Sequence, residues 1–238
     1  MMGLVTTKRG VVMNIAVFGT GMVGRALSAK LVELGHAVTI GTRDVEALLA
    51  RKESDGMGNP PFAVWQAENT AVQVGTFAEA AAGSELLVNA TSGQATLTVL
   101  KSAGEKNLNG KVLLDIANPL DFSQGMPPTL SIVNTDSLAE QIQQAFPELK
   151  VVKTLNTMSA PVMIDPQAVG DGDHTVFVSG NDAAAKEETA VLLRSFGWEQ
   201  IVDLGDITTA RGTEMLLPIW LRLYGALQTP LFNFKVVQ

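Results

Sequence analysis

The sequence predicts an α/β fold in which a doubly wound, mainly parallel sheet is covered by helices on both faces. Short β-branched runs alternate with helical stretches along most of the chain, which is the order of parallel strands joined by crossover helices. Most of these runs are continuously apolar, as strands buried on both faces are. A glycine-rich turn lies between the first strand and the first helix. The last predicted helical stretch covers residues 208–227.

The alternation predicts eight strands and seven helices. The strands are residues 14–18, 37–41, 72–75, 86–90, 112–116, 151–155, 175–179 and 200–203. The helices are residues 22–34, 45–51, 77–82, 94–102, 137–145, 183–195 and 208–227. In the first helix, Val23, Leu27 and Leu31 recur with helical spacing and predict one apolar stripe. Gly35 is expected to end that helix.

Charge and composition argue against several classes of protein. The 17 Lys and Arg residues and 24 Asp and Glu residues give a net charge of -7, which argues against a nucleic-acid partner because such binding usually needs a cationic surface. The absence of cysteine excludes disulfides and thiolate chemistry and fits a reducing cytoplasm. The sequence has no apolar run long enough to span a bilayer and no recognisable secretory signal. We therefore expect a cytoplasmic protein with no membrane partner.

The segment Gly19–Gly24 matches the pattern G-x-G-x-x-G between a predicted strand and a predicted helix, where this pattern indicates dinucleotide binding. Gly19 would allow a tight turn, Gly21 a close approach of pyrophosphate, and Gly24 close packing of the helix on the strand. The backbone amides expected to hold the phosphates are those of Thr20, Met22 and Val23. This context predicts a Rossmann, NAD(P)-binding fold. The alternative is a glycine turn that only closes the strand–helix unit.

The end of the second strand predicts which dinucleotide binds. NAD-binding proteins usually carry an acid there, which bonds the ribose hydroxyls and repels a 2′-phosphate. Here the strand ends at a glycine and is followed by Thr42 and Arg43, a hydroxyl and a guanidinium that suit a phosphate. The sequence thus favours NADP. Asp44 is interpreted as the N-cap of the next helix, and a small shift of the strand boundary would make it the ribose acid of an NAD site instead.

Five stretches of the chain together resemble the coenzyme F420-dependent NADP reductase family, to which the reductase domains of STEAP proteins are also similar. They are MNIAVFGTGMVGRALSAKLVELGHAVTIGTRD, VNATSG, LLDIANPL, VVKTLNTMSAPVM and LGDITTARGTEMLLPIWLRLYG. The resemblance covers nearly all of the chain from Met13 onward. It is strongest in the first strand, turn and helix and at the Thr42–Arg43 step.

This resemblance implies a dinucleotide-binding fold with a short C-terminal helical elaboration. It also implies NADP(H) in the glycine cleft and coenzyme F420, a deazaflavin, as second substrate stacked on the nicotinamide. The family's phosphate contacts would correspond to Thr20, Thr42 and Arg43. A further basic residue early in the next helix is common in the family, whereas this chain has Asp44-Val45-Glu46-Ala47, so one phosphate contact is expected to be missing. The expected division is an extension over residues 1–12, a dinucleotide-binding domain over 13–205, and a helical elaboration over 206–238.

Polar loops at the carboxyl ends of later strands are the other candidate part of the site, because ligands of open α/β sheets bind there. Thr91 and Ser92 follow the fourth strand and could bond ribose or pyrophosphate oxygens. Asn118 and Pro119 follow the fifth strand, and Asn118 could hold the carboxamide side of the nicotinamide. The loop after the sixth strand contributes Asn156 and Met158 as candidate substrate contacts. Ser, Asn and Pro are also ordinary turn formers, which is the alternative explanation.

The C-terminal stretch carries an apolar group that predicts either a ring pocket or a subunit interface. Its members are Leu216, Leu217, Pro218, Trp220, Tyr224, Phe232 and Phe234. An interface is the preferred interpretation, and we expect a homodimer. Leu217 and Pro218 are the best candidates to touch a substrate.

The sequence identifies no catalytic acid or base and predicts no metal site. His36 and His174 are the two histidines, both at positions typical of structural roles, and neither H-E-x-x-H nor G-x-S-x-G occurs. Hydride transfer between a nicotinamide and a flat redox cofactor needs no general base from the protein. The sequence thus favours an NADP(H)-dependent oxidoreductase with a small-molecule acceptor. The alternatives are a non-catalytic redox sensor, a flavin or ferric reductase, and a small-carbonyl dehydrogenase with a Lys, Asp or Tyr at the nicotinamide.

Overall fold

The computed structural model describes residues 12–55 and 58–238 of the chain. The predicted extension over residues 1–12 lies outside the described residues, apart from its last residue. None of the helices in the described ranges is long and apolar enough to cross a membrane.

The main sheet has eight strands, and a separate pair of short strands forms a second, two-stranded sheet. The strands are β1 (Asn14–Phe18), β2 (Ala37–Thr42), β3 (Gln73–Thr76), β4 (Leu86–Asn89), β5 (Val112–Asp115), β6 (Leu120–Asp121), β7 (Thr129–Leu130), β8 (Lys150–Thr154), β9 (Thr175–Gly180) and β10 (Gln200–Asp203). In the main sheet the order is β10-β9-β8-β5-β4-β1-β2-β3. All neighbours pair in parallel except β8 and β9. The doubly wound, mainly parallel α/β sheet is confirmed.

Helices cover both faces of this sheet. They are α1 (Met22–Glu33), α2 (Val45–Ala50), α3 (Phe62–Glu68), α4 (Phe77–Ala82), α5 (Gly93–Ala103), α6 (Glu105–Leu108), α7 (Leu138–Ala145), α8 (Ala160–Ile164), α9 (Ala183–Ser195), α10 (Ala210–Glu214) and α11 (Leu217–Leu227). The short helices α3, α6 and α8 were not predicted. The predicted continuous helix over 208–227 is wrong. A 3₁₀ turn (Ile207–Thr209), α10 and α11 replace it, with Pro218 in the first turn of α11.

Two apolar cores form because alternate residues of each strand point to opposite faces of the sheet. In β1, Ile15 and Val17 pack in one core together with Trp198, and Ala16 and Phe18 pack in the other. Every residue of β4 and β5 is buried, as the continuous apolar runs predicted. The strand order reverses between β1 and β4, and their carboxyl ends therefore form the crevice in which such sheets bind ligands.

The C-terminal segment is attached to this sheet through β9. The amide of Thr175 donates to the carbonyl of Phe234 at 2.9 Å, and Asn233 Nδ2 lies 2.8 Å from His174 Nδ1. His174 also contacts the carbonyl of Pro166 and packs edge-on against Trp198. Its contacts are structural, as the sequence predicted. The domain boundary at residue 205 stays a prediction.

The glycine turn is held by contacts between backbones. Gly19 has φ +127°, and a Cβ there would lie 2.4 Å from the carbonyl oxygen of Ala90, which follows β4. A Cβ on Gly24 would lie 2.0 Å from the carbonyl oxygen of Gly19. In contrast, a Cβ on Gly21 would have no protein atom within 4 Å. Packing thus requires Gly19 and Gly24, whereas nothing in the described protein requires a glycine at 21.

We expect Gly24→Ala and Gly21→Ala to differ in their effect on the free energy of unfolding, measured by urea denaturation. Gly24→Ala should destabilise the protein by about 1–3 kcal/mol through overpacking, although alanine is the better helix former. Gly21→Ala should change stability by less than about 0.5 kcal/mol. Equal losses in the two variants would contradict the separate roles assigned to these glycines.

Candidate functional site

Two adjoining cavities lie at the carboxyl edge of the sheet. The larger has a volume of about 610 Å³ and runs from the glycine turn to the end of β2. The smaller has a volume of about 210 Å³ and lies between the loops that follow β4 and β5. Ala90, Thr91 and Ser92 line both cavities. A ligand long enough to occupy both would therefore cross the glycine turn and the β4 loop.

The larger cavity brings together most of the residues predicted to bind the nucleotide. Those in its lining are Gly19, Thr20, Gly21, Thr42, Arg43, Thr91 and Ser92. Gly21 is the N-cap of α1 and has open space around the position of a Cβ, so a phosphate group can approach its backbone without meeting a side chain. Met22 and Val23 begin α1, where free backbone amides favour an anion. Gly24 serves helix packing, and its predicted role in binding is indirect.

β2 ends at Thr42, one residue later than predicted, and position 41 just before this end leaves no room for an acidic side chain. A Cβ on Gly41 would lie 2.9 Å from Phe18 Cδ1 and 3.2 Å from Phe77 Cδ1. Asp44 lines the cavity as well, but its Oδ1 accepts the amide of Ala47 at 2.9 Å as the N-cap of α2. The predicted cap is confirmed, which weakens the alternative of Asp44 as a ribose acid.

Arg51 is a cation of this cavity that the sequence analysis missed. It is exposed, directly follows α2 and lines the cavity together with Arg43 and Ala47. Residues four apart lie on the same side of a helix. Because Ala47 lines the cavity, position 51 points the same way, and this spacing is the signal that could have identified it. The basic residue that the family resemblance led us to expect early in α2 is missing. Arg51 at the end of α2 provides a positive charge in the same cavity instead.

Arg25 supports the glycine turn from below and was also missed. Its Nε donates to the carbonyl of Thr20 at 2.8 Å and its guanidinium donates to the carbonyl of Pro60 at 2.7 Å. The guanidinium carbon also lies 5.3 Å from the ring centre of Phe62. Burial lowers the pKa of Arg25, with Asp55 acting in the opposite direction. An arginine stays charged under such conditions, so it places a positive charge behind the turn.

The smaller cavity has a predominantly apolar wall. Its lining residues are Val23, Ala90, Thr91, Ser92, Gly93, Gln94, Ile116, Ala117, Asn118, Leu120 and Phe122. Among these described residues none has a titratable side chain. Ser92 is the N-cap of α5 but makes no capping bond with its hydroxyl, which leaves that hydroxyl available to a ligand. Thr91 instead donates its hydroxyl to Asn89 Oδ1 at 2.6 Å.

The predicted pair of asparagines is joined directly. Asn118 Nδ2 donates to the carbonyl of Asn156 at 2.9 Å, and Asn156 Nδ2 donates to Asn118 Oδ1 at 3.0 Å. Asn118 lines the smaller cavity, whereas Asn156 is buried behind it. Pro119 is buried beside Gly93, whose Cβ would lie 2.9 Å from Pro119 Cα. Asn156 and Pro119 therefore fix the loop that carries Asn118.

The remaining predicted substrate residues lie apart from both cavities. Met158 and Leu217 are each 6% exposed and pack in the protein interior. Pro218 lines a separate cavity of about 340 Å³ with Pro127, Pro128 and Arg222, among others. Their roles in substrate binding stay predictions, and none of the three is in the lining of either cavity at the carboxyl edge of the sheet.

Comparisons with known proteins identify the family. The model of the family described as NADP oxidoreductase, coenzyme F420-dependent, matches residues 14–119. The chain is 62% identical to the crystal structure of a candidate F420-dependent NADP reductase from Arthrobacter sp. FB24, with a TM-score of 0.92, over 95% of this chain and 100% of that one.

Two curated proteins are more distant relatives. An F420-dependent NADP reductase of Methanothermobacter marburgensis is 27% identical over 215 residues, 89% of this chain and 92% of that protein. The metalloreductase STEAP3 of Rattus norvegicus is 28% identical over 212 residues, 87% of this chain, and the match spans only 38% of the length of that protein. Sequence, fold and cleft agree, and the chain belongs to the coenzyme F420-dependent NADP oxidoreductase family, whose members are NADP-dependent oxidoreductases.

Proposed function

We propose that this protein transfers a hydride between NADP(H), bound across the two cavities, and a flat acceptor, which is most favourably coenzyme F420. The observation that carries the proposal is the contrast between the two ends of the cleft. One end has two exposed arginines, and the other has an apolar wall whose described residues carry no titratable group. The relatives named F420-dependent NADP reductase support F420 as the acceptor.

The 2′-phosphate of NADP would bind between Thr42, Arg43 and Arg51. Arg43 and Arg51 lie at opposite ends of the short helix α2 and line one cavity. A guanidinium binds phosphate oxygens through two parallel hydrogen bonds and keeps its charge at every physiological pH. Since NAD lacks this phosphate, the two arginines would favour NADP without improving the binding of NAD.

We expect Arg43→Ala to weaken NADPH binding by about one to two orders of magnitude, because a hydrogen bond to a charged group contributes roughly 1.5–3 kcal/mol. Arg51→Ala should weaken it by about tenfold or less, because ordering this exposed side chain on the phosphate costs conformational entropy. NADH binding should change little in either variant. Isothermal titration calorimetry with both nucleotides provides the measurement.

Arg194→Ala is the matched control, because Arg194 is an exposed arginine whose guanidinium pairs with Glu187 at 2.9 Å on α9. It should leave both affinities unchanged. If Arg43→Ala binds NADPH as tightly as the parent, or if the parent prefers NADH, the assignment fails and Asp44 becomes the ribose contact.

The smaller cavity suits a nicotinamide ring with a second flat ring beside it. Val23, Ile116 and Leu120 offer apolar surface, and Phe122 is 56% exposed at the rim. In hydride transfer between two such rings the reactive carbons belong to the cofactors, and the protein must align them about 3–3.5 Å apart and exclude water. The absence of titratable side chains from the described lining disfavours a small-carbonyl dehydrogenase, which needs a proton donor.

A non-catalytic redox sensor remains the alternative from another class. A sensor would need no acceptor space, and apolar residues of the C-terminal group such as Leu217 and Trp220 could fill that space. Instead Leu217 packs in the interior, and Trp220 stacks on Tyr224 and Phe232 at 5.7 and 5.2 Å between ring centres. The cavity beside Asn118 is open, which favours an enzyme.

The absence of cysteine from the sequence supports a reducing, cytoplasmic setting.

Mixing the purified protein with NADPH and F420 should bleach both chromophores as the hydride is exchanged, followed by absorbance. Ferric chelates in a parallel reaction test the metalloreductase activity named for the STEAP relative, and free flavins test the flavin reductase alternative. Gly21→Val is the control, because a Cβ at this position would have no protein atom within 4 Å and the side chain would project into the open space above the turn. It should fold normally and lose turnover with every acceptor. A parent protein without turnover on any acceptor would refute the enzymatic function and leave the sensor.

We also propose that the protein is a homodimer formed through α11 and the following tail. Of the eleven residues of α11, only Leu217 is buried. The apolar residues exposed in this region are Ile219, Tyr224, Leu227, Leu231, Val236 and Val237. An apolar patch of this kind is usual at an interface and unusual on a monomer. A second copy of the chain could cover this patch with the same patch of its own. The resulting two-fold dimer is the simplest closed arrangement.

Ile219→Asp combined with Leu227→Asp should convert the dimer to a monomer, because the two residues lie two helical turns apart on the same side of α11 and would place charges in the buried interface. Light scattering after size exclusion gives the mass. Val191→Asp, at an apolar residue of α9 that is 58% exposed, should leave the dimer intact. A monomeric parent would exclude the dimer.

A further inference from the structure

Three neighbouring strands carry buried polar residues side by side at their carboxyl ends. Asn89 on β4 pairs in register with Asp115 on β5, and Asp115 pairs with Lys153 on β8. All three side chains are at most 1% exposed. In adjacent parallel strands, residues in register point to the same face of the sheet. These residues, with Glu214 of α10, are called the strand-end network below.

Lys153 lies between two carboxylates. Its Nζ is 2.9 Å from Asp115 Oδ2 and 2.8 Å from Glu214 Oε1. The second acid is stabilised at the start of α7, where the amides of Leu138 and Ala139 donate to Glu214 at 2.8 and 3.2 Å and the helix dipole favours a negative charge. Burial acts to lower the pKa of Lys153, but the two carboxylates outweigh it and hold this pKa above its ordinary value. Lys153 is therefore a cation.

The strand-end network also holds the two loops that form the smaller cavity. Lys153 Nζ donates to the carbonyl of Ala117, and Asp115 Oδ1 accepts the amide of Ala117 at 3.3 Å. Asn89 Nδ2 donates to the same Oδ1 at 2.7 Å. Through its own Oδ1, Asn89 accepts the hydroxyl and the amide of Thr91. The loops after β4 and β5 are thus bonded to one ionic group immediately beneath the cavity floor.

We infer that Lys153 is a positioning residue, which together with Asp115 and Glu214 fixes the β4 and β5 loops in the arrangement that orients the nicotinamide. This inference rests on the proposed function for the identity of the ligand. Lys153 is enclosed by protein and lies outside the described lining of the smaller cavity, so it does not exchange protons with a substrate. A buried ion pair adds little net stability compared with apolar packing. In this protein the ion pair instead holds the β4 and β5 loops, which are separate in sequence, in one fixed geometry.

The single change Lys153→Met would leave two buried carboxylates without their cation and would endanger folding. The double variant Asp115→Asn, Lys153→Met removes one charge of each sign and leaves Glu214 with its two amide donors. Lys150→Met is the matched control, because Lys150 lies on the same strand but pairs with Asp182 at the surface. Glu214→Gln, which keeps Lys153 and Asp115 paired, is the second test variant.

Two ligands separate the ends of the cleft in calorimetric titration. Adenosine 2′,5′-bisphosphate would occupy the larger cavity with the arginines, whereas NADPH would extend into the smaller cavity between the β4 and β5 loops. In the double variant the affinity for the bisphosphate should stay within about twofold, and that for NADPH should fall about tenfold or more, a loss of roughly 1.4 kcal/mol. Glu214→Gln should show the same selective loss to a smaller extent. Lys150→Met should bind both ligands like the parent.

Amide hydrogen exchange of the ligand-free protein measures loop order without any assumption about the ligand. Residues 90–93 and 116–118 should exchange faster in the double variant and as in the parent in Lys150→Met. Equal weakening of both ligands, or unchanged NADPH affinity together with unchanged exchange, would overturn the positioning role. A parent that fails to bind NADPH would refute the proposed function instead, and the exchange of these loops would still decide whether the network holds them.

Discussion

Close contacts between backbones at the carboxyl edge of the sheet are the constraint on which the site depends. Added Cβ atoms would lie 2.0 Å from a carbonyl oxygen at Gly24, 2.4 Å at Gly19 and 2.3 Å at Gly93. These contacts join α1 to the glycine turn, the turn to the β4 loop, and the start of α5 to the β5 loop. Because backbone atoms cannot change rotamer, the cleft has a width set by the packing of the fold.

This arrangement explains how an acidic protein can hold an anionic dinucleotide. The net charge of -7 repels a phosphate at long range, but salt screens that repulsion beyond about 10 Å. Close to the cleft, the start of α1 offers backbone amides, Arg25 lies buried behind the turn, and Arg43 and Arg51 line the cavity. Binding and specificity would thus depend on a few local groups at fixed positions, while the rest of the surface keeps its negative charge.

Features encoded within a few neighbouring residues could be predicted from the sequence. The turn at 19–24, the Asp44 cap and the eight strands of the main sheet follow from local patterns, and β1 and β10 have the predicted bounds. The two-residue strands β6 and β7 were not predicted. Arg51 was missed because its position depends on the direction of a short helix. The reversal of β9 relative to β8 was not predicted either, since an apolar run shows that a strand is buried and not which way it runs.

The strand-end network lies beyond sequence reasoning for a different physical reason. In the sequence, nothing indicates that Asp115, Lys153 and Glu214 are partners of one another. A charged residue without such an indication is expected to be exposed to solvent. Only the strand register brings the first two together, and only the packing of α10 brings the third. A buried charge gives no apolar or periodic signal of its burial, so the folded structure is needed to find it.

Glu214 has a further consequence for the C-terminal segment. It is the last residue of α10, and α11 begins three residues later at Leu217. An apolar residue at 214 could fill the same space, but it would not select one position of α10 relative to both Lys153 and the first amides of α7. A carboxylate does so, because its two oxygens have directional partners. Fixing α10 also fixes where α11 starts, and with it the direction in which the apolar side of α11 faces relative to the cleft.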